Sequence, residues 1–112
     1  MKTTIAALLM GTAMTMNAAM KVDRIEPTDW YVGMKDTSLQ LMVYGQGIKT
    51  ADVTTDYPGV RIDSIVRLDS PNYLLVYMNL AEAQPGTMTL NFRQGKQKQK
   101  IPYQLKAREK NG

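Results

Sequence analysis

Histidine and cysteine are both missing from the 112 residues of this chain. Without histidine, the usual general base near neutral pH is gone, and without cysteine there is no thiol nucleophile, disulfide or thiolate metal site. Ser-His-Asp and Cys-His catalysis are therefore excluded, as is a lipid-bearing cysteine behind an export signal. Tryptophan and phenylalanine occur once each, so stability rests mainly on aliphatic packing. Apolar periodicity of the helical kind is also lacking. Beyond the first twenty residues no segment of helical length shows it, and Ala81 to Ala83 suffices for one helical turn at most. A glycine-rich phosphate cradle, internal repeats and low-complexity linkers are absent too.

Charge is present but localised. The formal net charge is +4, yet Met20 to Gly95 holds seven basic and nine acidic residues, whereas Lys96 to the end holds six basic residues and one acid. A nucleic-acid partner calls for a broad basic face with arginine or aromatic readers, and nucleic acid is not expected here.

The first residues read as an address. Lys2 precedes a run without charge from Thr3 to Met20 that ends in the small pair Ala18-Ala19, the layout of a secretory signal peptide. Threonines, Gly11 and Asn17 dilute its hydrophobicity, so a permanent transmembrane helix is the weaker reading. The expectation is a signal peptide over residues 1–19, cut after Ala18 or Ala19, and a single domain over residues 20–112. The product would be exported, periplasmic or secreted, with no stable membrane insertion after cleavage. About 93 residues then remain, enough to bury roughly 60 to 70 per cent of the unfolded surface in one modest core.

Period-two alternation recurs from Leu39 onward between Gly, Pro, Asn and Asp turns, the pattern of a sandwich or barrel. In LQLMVYG, Leu39, Leu41 and Val43 point inward. In VRIDSIVRLD, Val60, Ile62, Val66 and Leu68 are expected inward with Ser64 between them, and Ile65 outward. NYLLVYMNL is apolar on both faces and reads as a central strand covered on both sides. Met88, Leu90 and Phe92 form the next inward set, then Ile101, Tyr103 and Leu105. Pro102 cannot donate to a ladder, so the last strand is expected at an edge or bulged. The lysines of KQKQK, Lys96 to Lys100, read as an edge guarded against pairing with other chains. About seven or eight short strands predict an all-β, immunoglobulin-like antiparallel β-sandwich without the Cys-Trp-Cys core of antibody domains.

Candidate chemistry is thin. Carboxylate-pair chemistry is formally open with Asp23, Glu26, Asp29 and Asp36, or with Asp52 and Asp56, but a glycosidase pair must flank a cleft, and these acids sit where turns and loops are expected. Asp52 and Asp56 lack the dense acidic spacing of a calcium loop. No catalytic residue, metal or cofactor is predicted. What remains is aromatic surface: Trp30-Tyr31 in RIEPTDWYVGM, in an expected loop between two turns, with Tyr44 and Tyr57 near expected loop ends. Trp30 reads either as a plug over the open end of a sandwich or as a contact surface for a sugar or a partner protein.

VDRIEPTDWYVGM, SLQLMVYG, SPNYLLVYMNL and QPGTMTLNF, in this order and spacing, resemble the N-terminal domain of cyclomaltodextrinases and neopullulanases in the α-amylase superfamily. They look most like the forms found in Bacteroidetes starch-utilisation systems. The resemblance spans about Val22 to Leu105. It implies an eight-stranded sandwich ahead of a catalytic (β/α)8 barrel, packing against that barrel or a second subunit and leaving bond cleavage to it. Such a barrel needs about 250 residues, so no catalytic residue is carried onto this chain. Trp30, Tyr31 and Met34 become the candidate contacts with the barrel, or with maltooligosaccharide if the domain acts alone. The alternatives are a stand-alone α-glucan-binding module and a small exported structural sandwich with no sugar ligand.

Overall fold

The computed structural model describes residues 20–108; the expected signal peptide over residues 1–19 lies outside the described residues. Eight strands form in order: β1 (Lys21–Glu26), β2 (Asp29–Val32), β3 (Ser38–Gln46), β4 (Asp52–Thr54), β5 (Arg61–Arg67), β6 (Tyr73–Asn79), β7 (Gly86–Gln94) and β8 (Gln97–Ala107). They make two four-stranded sheets, ordered β1-β3-β6-β5 and β2-β8-β7-β4. Every pair is antiparallel except β2 with β8, which is parallel. The chain is thus an all-β sandwich of eight strands.

Strict alternation builds the core. Leu39, Leu41 and Val43 from β3, Leu74, Val76 and Met78 from β6, and Met88, Leu90 and Phe92 from β7 are all buried, and Tyr103 and Leu105 from β8 meet them. Each such side chain contributes roughly 1.5–3 kcal/mol relative to remaining exposed. Gly45 pairs with Val22 of β1, and an added Cβ there would collide with the Lys21 carbonyl oxygen, so the residue without a side chain is required.

Expectations for β5, β6 and Tyr44 change, whereas Ala81 to Ala83 keep to the single turn allowed them. The register of β5 against β6 shifts between Ile62 and Ser64, a bulge that adds one residue and reverses the phase beyond it. Ile65 therefore packs against the core together with Ile62, while Val66 points outward and is 39% exposed. β6 is central, but only one of its faces is covered by the second sheet. Its other face, with Tyr73, Leu75 and Tyr77, is half-buried and lies beneath no described element. The residues Ala81 to Ala83 form a hydrogen-bonded turn, Ala83 N–H donating to Leu80 O at 3.1 Å. Tyr44 lies within β3, not at a loop end.

β8 is not an edge strand in the sheet order, yet β2 pairs only with Gln104 to Ala107. The stretch before that is bare on one flank. Thr89, opposite Pro102, turns its carbonyl away from β8 to accept the Thr55 hydroxyl at 2.7 Å. This marks Thr89 and Pro102 as a pair that exchanges no hydrogen bonds, so the donor that proline lacks falls on the unpaired flank, and β7 and β8 pair without a bulge.

The glutamines of KQKQK, alternating with its lysines, close that flank. Met20 N–H donates to Gln97 Oε1. Val22 N–H donates to Gln99 Oε1 at 2.9 Å, and Gln99 Nε2 returns a bond to Val22 O at 3.5 Å. Gln99 thereby stands in for a neighbouring strand and joins the two sheets. On the opposite flank Arg67 does comparable work, donating to Lys49 O at 2.6 Å and Ala51 O at 2.7 Å and pairing with Asp52 at 3.3 Å.

Candidate functional site

The sequence motif around Trp30 folds as a strand, not a loop. After β1 the chain crosses at Pro27-Thr28 into the other sheet, and β2 lies beside the end of β8 with Trp30 opposite Leu105 and Tyr31 opposite Lys106. Alternation along β2 separates the two aromatics. Trp30 faces inward, half-buried and packed against the core, whereas Tyr31 faces outward and is 39% exposed. Their rings still touch edge to face, with centroids 6.2 Å apart at 60°.

Tyr31 is held from its outer side as well. The Lys106 ammonium sits 5.7 Å from the ring centroid and 3.3 Å from Asp29 Oδ1, so cation, carboxylate and phenol form one row across β2 and β8. A cation over an aromatic face at an exposed position is worth about 0.5–1 kcal/mol. Met34 follows at half burial beyond Gly33, whose φ of +82° suits glycine and turns the chain out of β2. Gly33 also borders an open recess with Val32, Ala81, Pro85, Ala107 and Arg108. Trp30, Tyr31 and Met34 therefore gather at one end of the sandwich, beside the point where β8 ends.

Tyr103, read from the sequence only as a core residue, sets the position of this end. It is buried, and its hydroxyl donates to Pro27 O at 2.8 Å. That bond pins β8 to the crossing that delivers β2. Burial, with the nearby Asp29 charge adding to it, pushes the phenol far above its ordinary range, so it stays a neutral donor. Tyr57, expected near a loop end, packs against the core and donates to Gln84 O at 2.7 Å, bracing the loop that borders the recess.

The carboxylates are dispersed. Asp23 bonds Gln46 and Lys21, Glu26 pairs with Arg24, Asp29 with Lys106, Asp52 with Arg67 and Asp63 with Arg61. Asp36 accepts the backbone N–H and hydroxyl of Ser38. Among the described residues no group of three or more Asp or Glu is placed to hold a metal ion. The surface at β2 and β8 offers stacking, one ion pair and an open recess of mixed lining, which suits contact rather than bond-making.

Comparison with known proteins agrees with this reading of the fold. Among solved structures, the chain is similar to domains 1–6 of the surface-layer protein SbsC at 18% identity and a TM-score of 0.50, covering 86% of this chain and 14% of that one. It is also similar to the S-layer protein rSbsC(31-844) at 19% identity and a TM-score of 0.49, covering 82% and 14%. The chain thus spans about 14% of the length of each, and at 18% identity the first likeness is one of fold alone. The family of cyclomaltodextrinase N-terminal domains matches residues 24–109, taking in β2, the recess and every strand of both sheets but the start of β1. This chain belongs to the cyclomaltodextrinase N-terminal domain family.

Proposed function

We propose that this chain is the non-catalytic accessory domain of an exported α-glucan-degrading enzyme, and that it packs against a catalytic (β/α)8 barrel through the end formed by β2 and β8. The observation that carries the reading is the family match over residues 24–109. Tyr31 and Met34 supply the contact, Trp30 stiffens β2 from behind, and the recess beside Gly33 receives a protruding side chain from the barrel. A barrel joined downstream would begin beside this recess, because Arg108 borders it. In this reading the cleaving carboxylates belong to the barrel, and the sandwich positions it. Residues 1–19 direct export.

The test mixes the purified chain with a separately purified cyclomaltodextrinase-type (β/α)8 barrel and measures association by calorimetry, alongside the melting temperature of each variant. Tyr31→Ser is expected to weaken association roughly tenfold, about 1.4 kcal/mol, with little change in melting temperature. Trp30→Ala, which removes a ring packed on the core, is expected to cost about 1–3 kcal/mol of stability. Association untouched by Tyr31→Ser, or maltodextrin hydrolysis by the chain alone, would overturn the proposal.

A further inference from the structure

The hairpin of β7 and β8 carries cations that the fold does not use. From Gly86 to Ala107 the chain has no acidic residue. Arg93, Lys98 and Lys100 project from the outer face of the sheet, Lys96 stands in the turn between the strands, and all four are exposed. Five ion pairs hold cations elsewhere, Arg67 with Asp52 and Lys106 with Asp29 among them. Among the described residues none of the four hairpin cations has such a partner.

This arrangement works against stability. Arg93 stands directly opposite Lys98, and like charges opposed across a ladder destabilise it. Asp52, beside Arg93 on its other flank, is bonded to Arg67. Nor do the lysines close the bare flank of β8, because Gln97 and Gln99 do so through Met20 and Val22. Lys98 and Lys100 are about 7 Å apart along β8, with Arg93 about 5 Å across from Lys98. At physiological salt the Debye length is about 8 Å, so these charges act as one positive patch.

We propose that this hairpin rests on an anionic phospholipid surface. Charge is the first argument, and position is the second. Met20 N–H bonds the Gln97 side chain, so the segment before residue 20 joins the domain beside the lysine turn. That segment is the uncharged run from Thr3, read as an export leader, and a leader held in a bilayer brings Lys96, Lys98 and Lys100 to the headgroups. A lipid chain and a polybasic patch together anchor a protein that either alone holds weakly, and an apolar leader with this patch makes the same combination. The side chains in the Lys100 row are Asn91 and Thr54, short enough to let the lysines reach a plane. Nucleic acid is disfavoured because no aromatic ring stands among these cations to read bases. β8 runs eleven residues from this turn to the docking end, about 35 Å, so one domain can face a membrane at one end and a barrel at the other. The inference rests on the leader reading and not on the docking end.

The experiment measures binding of the full chain to vesicles of phosphatidylcholine alone and of phosphatidylcholine mixed with phosphatidylglycerol. The apolar leader contributes alike to both, so its failure would lower both affinities and leave their ratio, which the lysines set. Tighter binding to the anionic vesicles is expected, and the preference should vanish in about 1 M salt. Each lysine near an anionic surface strengthens binding roughly fivefold, so the double variant Lys98→Gln/Lys100→Gln should lose about thirtyfold of the preference. Its melting temperature should not fall, whereas lysines with a structural role would lower it. The variant Lys35→Gln/Arg61→Gln, with the same change in net charge, should keep the preference. The proposal is overturned if the two vesicles bind equally, if Lys98→Gln/Lys100→Gln keeps the preference, or if both double variants lose it alike. It is equally overturned if the lysine variant weakens only association with the barrel, which would make an acidic protein the occupant.

Discussion

Tyr103 does two things with one side chain: its ring fills the core, and its hydroxyl bonds the Pro27 carbonyl, 76 residues away in sequence, where the chain changes sheets. Tyr103→Phe keeps the ring and strands the carbonyl. It is expected to lower stability by about 1–2 kcal/mol in urea unfolding and to broaden the amide signals of β2. Unchanged stability would mean that the crossing is held by packing alone. Asp36 offers a pH handle. Its hydrogen bonds from Ser38 hold its carboxyl below the ordinary range of an aspartate, as the bond from Gln46, with help from Lys21 and Arg24, does for Asp23. A folded-state pKa below the unfolded one contributes stability that is present above the unfolded value and lost as pH falls through the folded one. Stability should therefore decline on acidification below about pH 3.8. The decline should be shallower in Ser38→Ala, measured by urea midpoints from about pH 5 to about pH 2.

At the scale of elements, the two sheets are joined along their flanks by side chains more than by strands. Gln99 gives and takes a hydrogen bond with the backbone of Val22, and Arg67 clamps the approach to β4. Gln99→Ala would leave the Val22 N–H without its partner. The expected cost is about 1–3 kcal/mol, which for a domain of this size lowers the melting temperature by roughly 4–8 °C per kcal/mol. Lys98→Ala, one residue away but facing solvent, should change it little, and equal effects of the two would remove the clasp from the account. The segment KQKQK shows how far sequence reading went. Alternation put its lysines on one face, as found, but its glutamines carried no local sign of bonding a strand 77 residues earlier. The bulge in β5 was hidden in the same way, because one extra residue in a ladder leaves the alternating pattern intact on either side. Val66 and Ile65 were consequently exchanged.

For the molecule as a whole, the two outer faces differ: one is rich in lysine and threonine, the other in tyrosine and aliphatic side chains. The motif around Trp30 stood out by its residue types, but the sequence placed it in a loop. DWYV is four residues long, too short for alternation to declare itself, and its partner in β8 lies about seventy-five residues further on. The inward residues of β3, β6, β7 and β8 were legible because a side-chain period of two needs only neighbours along one strand. The missing histidine and cysteine limited the chemistry without reference to any fold. Tertiary structure alone decided that β2 crosses to lie parallel with β8, that Trp30 turns in while Tyr31 turns out, and that Val66 joins the tyrosine face. Each of these depends on which distant backbone supplies the ladder and in what register, and a local pattern does not encode that.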